Sequence, residues 1–184
     1  MRARLSLLGV GAAVLIGGCT EASAQGPQPV PAIAPPAPPA AADAGGVCEL
    51  LDFVVISQTL GTRFDVAAAT RQDETHTCVL QATGASRPDL VLTLTPTAVD
   101  AEVFGDSVTP EGGRKVTGLG KAAYRHMIEA GSGHGPGVEV GWLSADNRLI
   151  TLRYVFPAKA PESKAATIAP KLISLAKKVD AVRR

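Results

Sequence analysis

Aromatic side chains make up only 4% of this 184-residue chain, and none stands before Phe53 or after Phe156. The ends of the sequence therefore cannot contribute aromatic packing, and the core of any domain has to be mainly aliphatic. A charge excess of one sign is also lacking: 18 basic against 17 acidic side chains leave a formal net charge of +1. That balance gives no electrostatic footprint for nucleic acid. No G-x-S-x-G occurs, so the nucleophile elbow of an esterase-type hydrolase is missing. The longest uncharged apolar run, Leu5 to Ile16, is shorter than the roughly 20 residues a spanning helix needs. Cysteine is limited to Cys19, Cys48 and Cys78.

What is present begins with an export signal. Residues 1–18 combine Arg2 and Arg4 with the apolar run, in the order of a positive n-region and an h-region. Leu15-Ile16-Gly17-Gly18-Cys19 follows and resembles the lipobox of bacterial lipoproteins. That resemblance implies acylation of Cys19, which becomes the mature N-terminus and places the chain on the outer face of the cytoplasmic membrane, in the cell envelope. Ala22-Ser23-Ala24 before Gln25 also satisfies the small-x-small rule for ordinary cleavage, which would release a secreted soluble protein. Removal of residues 1–18 takes away two arginines and leaves 16 basic against 17 acidic side chains.

Cys48 and Cys78 remain after either cut, and an even pair in an oxidising compartment favours a disulfide over thiol catalysis or a metal site. Between Cys19 and that pair, residues 26–46 hold seven of the fourteen prolines, alternating with alanine, and a single charge, Asp43. This composition leans toward extended polyproline II and reads as a tether of about 60 Å at ~3.1 Å per residue. The expected division is a signal over 1–18, a tether over 19–46 carrying the lipidated Cys19, and one domain over 47–184, an ordinary domain size.

Periodicity within that domain points to an α+β fold. Residues 49–60 read as a short helix with Leu51, Val54, Val55 and Gln58 on one side and Gly61 as its stop. Strands are expected over 78–82 and around the alternating Leu90, Leu92 and Leu94, then over 122–129, 138–143 and 149–156. A helical turn or two over 98–106 separates the two groups. In the last strand Ile150, Leu152, Tyr154 and Phe156 share a face, and Thr151 and Arg153 share the other. Ile168, Leu172, Leu175, Val179 and Val182 form the apolar stripe of a C-terminal helix, which either kinks at Pro170 or begins there. The expected architecture is an antiparallel sheet of about five strands covered by the short N-terminal helix and the C-terminal helix.

Chemistry-bearing motifs are few. Gly118-Leu119-Gly120-Lys121 resembles the end of a phosphate loop but lacks the upstream glycine and the following Ser or Thr, so it reads as a tight turn. His76, His126 and His134 show no metal-ligand spacing, and His126 shares a parity with Tyr124 and Ile128 as a packing histidine would. Ser132 and His134 lie close in a glycine-rich loop and are the local candidates for a hydrolase. Lys171, Lys177, Lys178, Arg183 and Arg184 complement a helix C-terminus or, alternatively, meet anionic headgroups.

Cys48-Glu49-Leu50-Leu51, Leu60-Gly61, Cys78, Val116-x-Gly118-Leu119-Gly120-x-Ala122-Ala123-Tyr124, the span from Gly141 to Tyr154 and the alanine-rich final helix together resemble an actinobacterial cell-envelope lipoprotein family of unknown function. They also echo extracytoplasmic sensor domains of mycobacterial receptor kinases. Members of that family often carry tryptophan soon after the second cysteine, where this chain has Val79. The family brings no assigned reaction. Location, the tether and the absence of a reactive constellation point instead to a non-catalytic, membrane-anchored module that binds an apolar ligand such as a lipid, a glycan or an envelope protein in an accessory or sensory role, with no cofactor; the histidine spacing gives no metal site and the charge balance no nucleic acid. A ligand space between sheet and helix would rest on the architecture alone, and Leu92, Trp142, Leu152 and Leu172 read equally as its lining or as ordinary core. The alternative function is a lipid-anchored hydrolase with a cryptic site.

Overall fold

The computed structural model describes residues 40–182. Cys19, the signal, most of the expected tether, Arg183 and Arg184 lie outside them. The α+β class holds, but the sheet has seven strands where about five were expected, and the N-terminal helix begins later.

Packing starts before Val47. Ala41 is only 1% exposed and belongs to the main core, within a 3-10 turn over Ala41–Ala44 that is followed by a second over Gly46–Leu50. Leu51 is extended (φ −116°, ψ 125°), and the Asp52 carboxylate accepts from the amides of Val54 at 2.6 Å and Val55 at 3.1 Å. A side-chain cap of this kind satisfies amide donors that have no partner inside the helix. Helix α1 therefore runs Phe53–Leu60 rather than from Glu49, and Gly61 closes it in the left-handed region at φ +75°. The break at Leu51 also resets the helical phase. Ile56 and Leu60 are buried with Leu51, whereas Val54, expected to face inward, is 61% exposed and Gln58 is exposed.

Seven strands follow in one antiparallel sheet: β1 Val66–Gln72, β2 Thr75–Ala82, β3 Ala85–Pro96, β4 Arg114–Lys115, β5 Ala122–Ile128, β6 Gly137–Leu143 and β7 Arg148–Val155. Their spatial order is β1-β2-β3-β7-β6-β5-β4. Two meanders are thus joined where β3 lies against β7, from Asp89 opposite Val155 to Pro96 opposite Arg148. β1 has no counterpart in the sequence reading because Ala67, Ala68, Ala69, Thr70, Arg71 and Gln72 show no apolar alternation. Pairing with β2, from Val66 opposite Gln81 to Gln72 opposite Thr75, holds this edge extended. The hairpin between β6 and β7 turns over Ser144 to Asn147 as expected, with Asn147 at φ +56°.

One face carries the core. Opposed residues in the register put Cys78 and Leu80 in line with Leu90, Leu92 and Leu94, then Ile150, Leu152 and Tyr154, then Val138, Val140 and Trp142. All of these are at most 2% exposed. Helix α3, Glu162–Val182, covers the β5 to β7 part of this face and the turn over Gly46–Leu50 covers β2 and β3; α3 is one helix with Pro170 inside it, so it neither begins at Pro170 nor stops there. Ala165, Ala169 and Ala176 let its backbone approach the sheet, while Ile168, Leu172, Leu175 and Val179 fill the gaps. Val182, expected to complete the stripe, is 69% exposed. Leu92, Trp142, Leu152 and Leu172 are fully buried members of this cluster and are packing residues.

Two polar features fasten the layers. The Trp142 indole donates to Asp180 Oδ1 at 3.2 Å in the buried interface between β6 and α3. Cys48 and Cys78 stand at disulfide distance with Cα atoms 5.1 Å apart, both fully buried, and clamp the N-terminal turns to β2. Trp142→Phe removes the buried donor and is expected to cost about 1–3 kcal/mol, read as a lower urea midpoint by far-ultraviolet circular dichroism. An unchanged midpoint would show that the bond carries no stability. For the clamp, with the two cysteines 30 positions apart, the paired Cys48→Ser and Cys78→Ser variant is expected to lose about 3–4 kcal/mol by loop entropy. The same denaturation experiment measures it.

Candidate site at the open face of the sheet

The opposite face of the sheet is covered only at one end. There α2, Ala101–Val103, is capped by Asp100, whose carboxylate accepts from the amides of Glu102 at 3.0 Å and Val103 at 2.9 Å. The chain continues in a π-helical turn, Phe104–Val108, closed by Thr109 donating its amide to the Phe104 carbonyl at 3.0 Å. This turn drives Phe104 against Tyr124 (ring centroids 5.8 Å apart) and Leu143, forming a second small core. Helical turns were expected over 98–106, and the structure places them at 101–108.

Across the uncovered part, the register lays out two rows. One runs Lys115, Tyr124, Gly141, Thr151, Thr93, Thr77 and Thr70; the next runs His126, Glu139, Arg153, Val91, Val79 and Ala68. Tyr124 lies flat over Gly141, where a Cβ would come within 2.4 Å of the ring, so glycine is required there. Its hydroxyl donates to Glu139 Oε1 at 2.6 Å. Burial, and then the bond to Glu139 and its charge, push the Tyr124 phenol above the ordinary tyrosine range. A phenol held in this way keeps its proton and serves as a rigid donor, not as a base or a nucleophile at neutral pH. His126 sits opposite Glu139, with Nδ1 buried and without a hydrogen-bond partner among the described residues. At the far end of the face Asp89 is 4% exposed and bridges Arg87 at 2.7 Å. Burial still pushes its carboxyl up, against the lowering by Arg87 and Arg153.

A cavity of about 380 Å³ lies at the corner where the π-helical turn meets β4 and β5. Phe104, Ala101, Ala122 and Ala123 supply apolar walls, Gly105 and Gly113 bring bare backbone to it, and Asp106, Thr109, Lys115 and Lys121 supply polar groups. Lys121 donates to Asn147 Oδ1. Neither lysine is within ion-pair distance of Asp106, and the Lys115 side chain has no hydrogen-bond partner among the described residues. Gly113 is required by the turn that closes this corner, since a Cβ there would fall 2.7 Å from the Pro110 carbonyl oxygen. Sequence spacing does not reveal these residues: Asp106, Thr109 and Lys115 belong to the aperiodic stretch after β3, and Lys121 ends the phosphate-loop look-alike. Glycines at 105, 112 and 113 between acidic and basic residues were the available signal.

The residues singled out from sequence do not converge. Ser132 is exposed in the turn bridged by Gly131 and His134, Gly133 supplies φ +82°, and His134 Nδ1 bonds the Gly135 carbonyl at 2.8 Å. No hydrogen bond joins Ser132 to His134 among the described residues. His76 points to the helix side of the sheet and His126 to the other, and no group of metal-ligating side chains forms among the described residues. Gly118 and Gly120 adopt φ +69° and +54° in the tight turn that enters β5, with Gly120 pressed on the Leu143 carbonyl. Lys178 donates to Thr59 Oγ1 at 3.0 Å and ties α3 to α1. Among the described residues no helix is long and apolar enough to cross a membrane.

Burial also raises the Tyr154 phenol. Below pH ~10 both tyrosines are protonated whether the chain is folded or unfolded; above it the unfolded chain releases protons that the folded chain keeps, so stability falls as pH rises through that range. Alkaline titration followed by phenolate absorbance is expected to show neither tyrosine ionising at its ordinary pH until the fold opens. Glu139→Gln should bring Tyr124 down and leave Tyr154 in place. Ionisation of both tyrosines near pH ~10 in the folded protein would refute the clamp.

The chain matches no protein-family model, no curated protein and no solved structure.

Proposed function

We propose that this is a non-catalytic, membrane-anchored lipoprotein of the cell envelope, acting as an accessory or sensory binding module. The observation that carries the binding role is the corner cavity: a space of about 380 Å³ falls within the range of small-ligand sites, and it combines apolar walls with three formal charges that do not neutralise one another by contact. Buried polar groups converging on a catalytic step are not what surrounds it. Tyr124 is committed to Glu139, and Ser132 and His134 are separated from the cavity in another loop and do not bond each other. The anchor rests on the lipobox-like Leu15-Ile16-Gly17-Gly18-Cys19, and the short motifs from Cys48 to the final helix add the likeness to envelope lipoproteins.

Mass spectrometry of the full chain purified from a host that processes lipoproteins tests the anchor. The expected species begins at an acylated Cys19 and is two hydrogens lighter for the Cys48–Cys78 bond, and Cys19→Ser moves the protein from membrane to soluble fractions. A mature chain beginning at Gln25 would overturn the anchor and leave a secreted protein.

A further inference from the structure

We infer that the corner cavity takes a small monoanionic amphiphile, with a carboxylate head at Lys115 and Lys121 and a short alkyl body against Ala101 and Ala122. The inference rests on the binding-module reading but not on the membrane anchor. Charge selects the head. Two lysines and Asp106 border one space, so its local balance is a single positive charge, which a monoanion neutralises and a dianion overfills. The lysines are free to respond: the Lys115 side chain is without a partner among the described residues, and Lys121 holds only the neutral Asn147 amide. The Asp106 carboxylate stands without an ion pair on the same rim and repels a second negative charge.

Shape selects the tail. Phe104 is 2% exposed and packed on Tyr124, so it is a fixed floor behind the space, and the methyl groups of Ala101 and Ala122 give the tail its apolar surface. Gly105 has nothing within 4 Å of where a Cβ would stand, which leaves the side of the space next to Phe104 open. The π-helical turn is what creates this room. An extra residue in the turn displaces the backbone outward, and such turns recur where a fold sacrifices regular bonding to shape a site. A rigid apolar wall beside flexible cations suits a ligand whose tail is buried and whose head remains near water.

The test is a titration of the folded chain from residue 26 onward with octanoate, octylamine and octyl phosphate below their aggregation concentrations, read by amide chemical shifts. Octanoate is expected to shift Gly105, Lys115 and Lys121 saturably, more tightly than octyl phosphate, with no saturable response to octylamine. Loss of charge-assisted bonds in Lys115→Ala with Lys121→Ala should weaken octanoate about tenfold or more. Gly105→Leu should abolish its binding by filling the open side. Lys115→Ala alone removes no hydrogen bond or ion pair among the described residues, and an unchanged far-ultraviolet circular dichroism spectrum and urea midpoint in that variant separate weaker affinity from misfolding. Equal binding of octylamine, unchanged affinity in the lysine variants or the absence of any shift would overturn the inference. Shifts confined to the threonine and valine rows of the sheet would overturn it too, while leaving a binding module that uses its open face.

Discussion

Pairing of β3 with β7 is the constraint on which the remaining architecture depends. Each meander is local, since its strands are joined by short turns, but β3 and β7 meet only after the whole segment between them has been looped out. Such a closure is entropically costly and must be rewarded by the contacts it creates. The reward is visible in the register. Leu90, Leu92 and Leu94 come opposite Tyr154, Leu152 and Ile150, and these six fully or almost fully buried side chains join the part of the core under α3, over β5 to β7, to the part under the N-terminal turns, over β2 and β3. Without that pairing the core under α3 and the core under the disulfide-clamped turns would be two separate small clusters instead of one.

The same pairing makes the molecule two-sided. One face is closed by α3, the disulfide-clamped turns and the Trp142–Asp180 bond; the other is left to threonine, valine and a few charges, as antiparallel sheets permit. Only the segment after β3 crosses to that side, and it does so because its π-helical turn carries Phe104 onto Tyr124. The corner cavity is a by-product of this crossing. The proposed binding site therefore lies where an irregular connection, and not the regular sheet, decides which groups meet.

Particular elements show what periodicity can and cannot reveal. The alternation in β3 and β7 and the three-and-four spacing of α3 are legible because each buries one face against a broad partner, and the pattern is simply the trace of that burial. β1 is illegible because its extended form is imposed by β2 on small and exposed residues that carry no pattern. The start of α1 was misplaced because the Asp52 cap outweighs the apolar residues before it, and the break at Leu51 then turns a different face inward. Of the corner site, Lys121 was noticed for the wrong reason, and Asp106 and Lys115 were not noticed at all. They lie in separate segments whose meeting no spacing rule describes.

By itself the sequence determined the order and period of the main elements, the pairing of Cys48 with Cys78, the apolar stripe of α3 from Ile168 to Val179, and the glycines that tight turns require. These are properties of residues acting through near neighbours or through an even count of thiols. Only the tertiary structure decided that two meanders become one sheet, that Pro170 stays within a continuous helix, and that Leu92, Trp142, Leu152 and Leu172 fill a core instead of lining a cavity. It alone brought Asp106, Lys115 and Lys121 to one rim. Each of those outcomes depends on contacts between residues far apart in the chain, where the free energy of burial is shared among partners that local sequence cannot name.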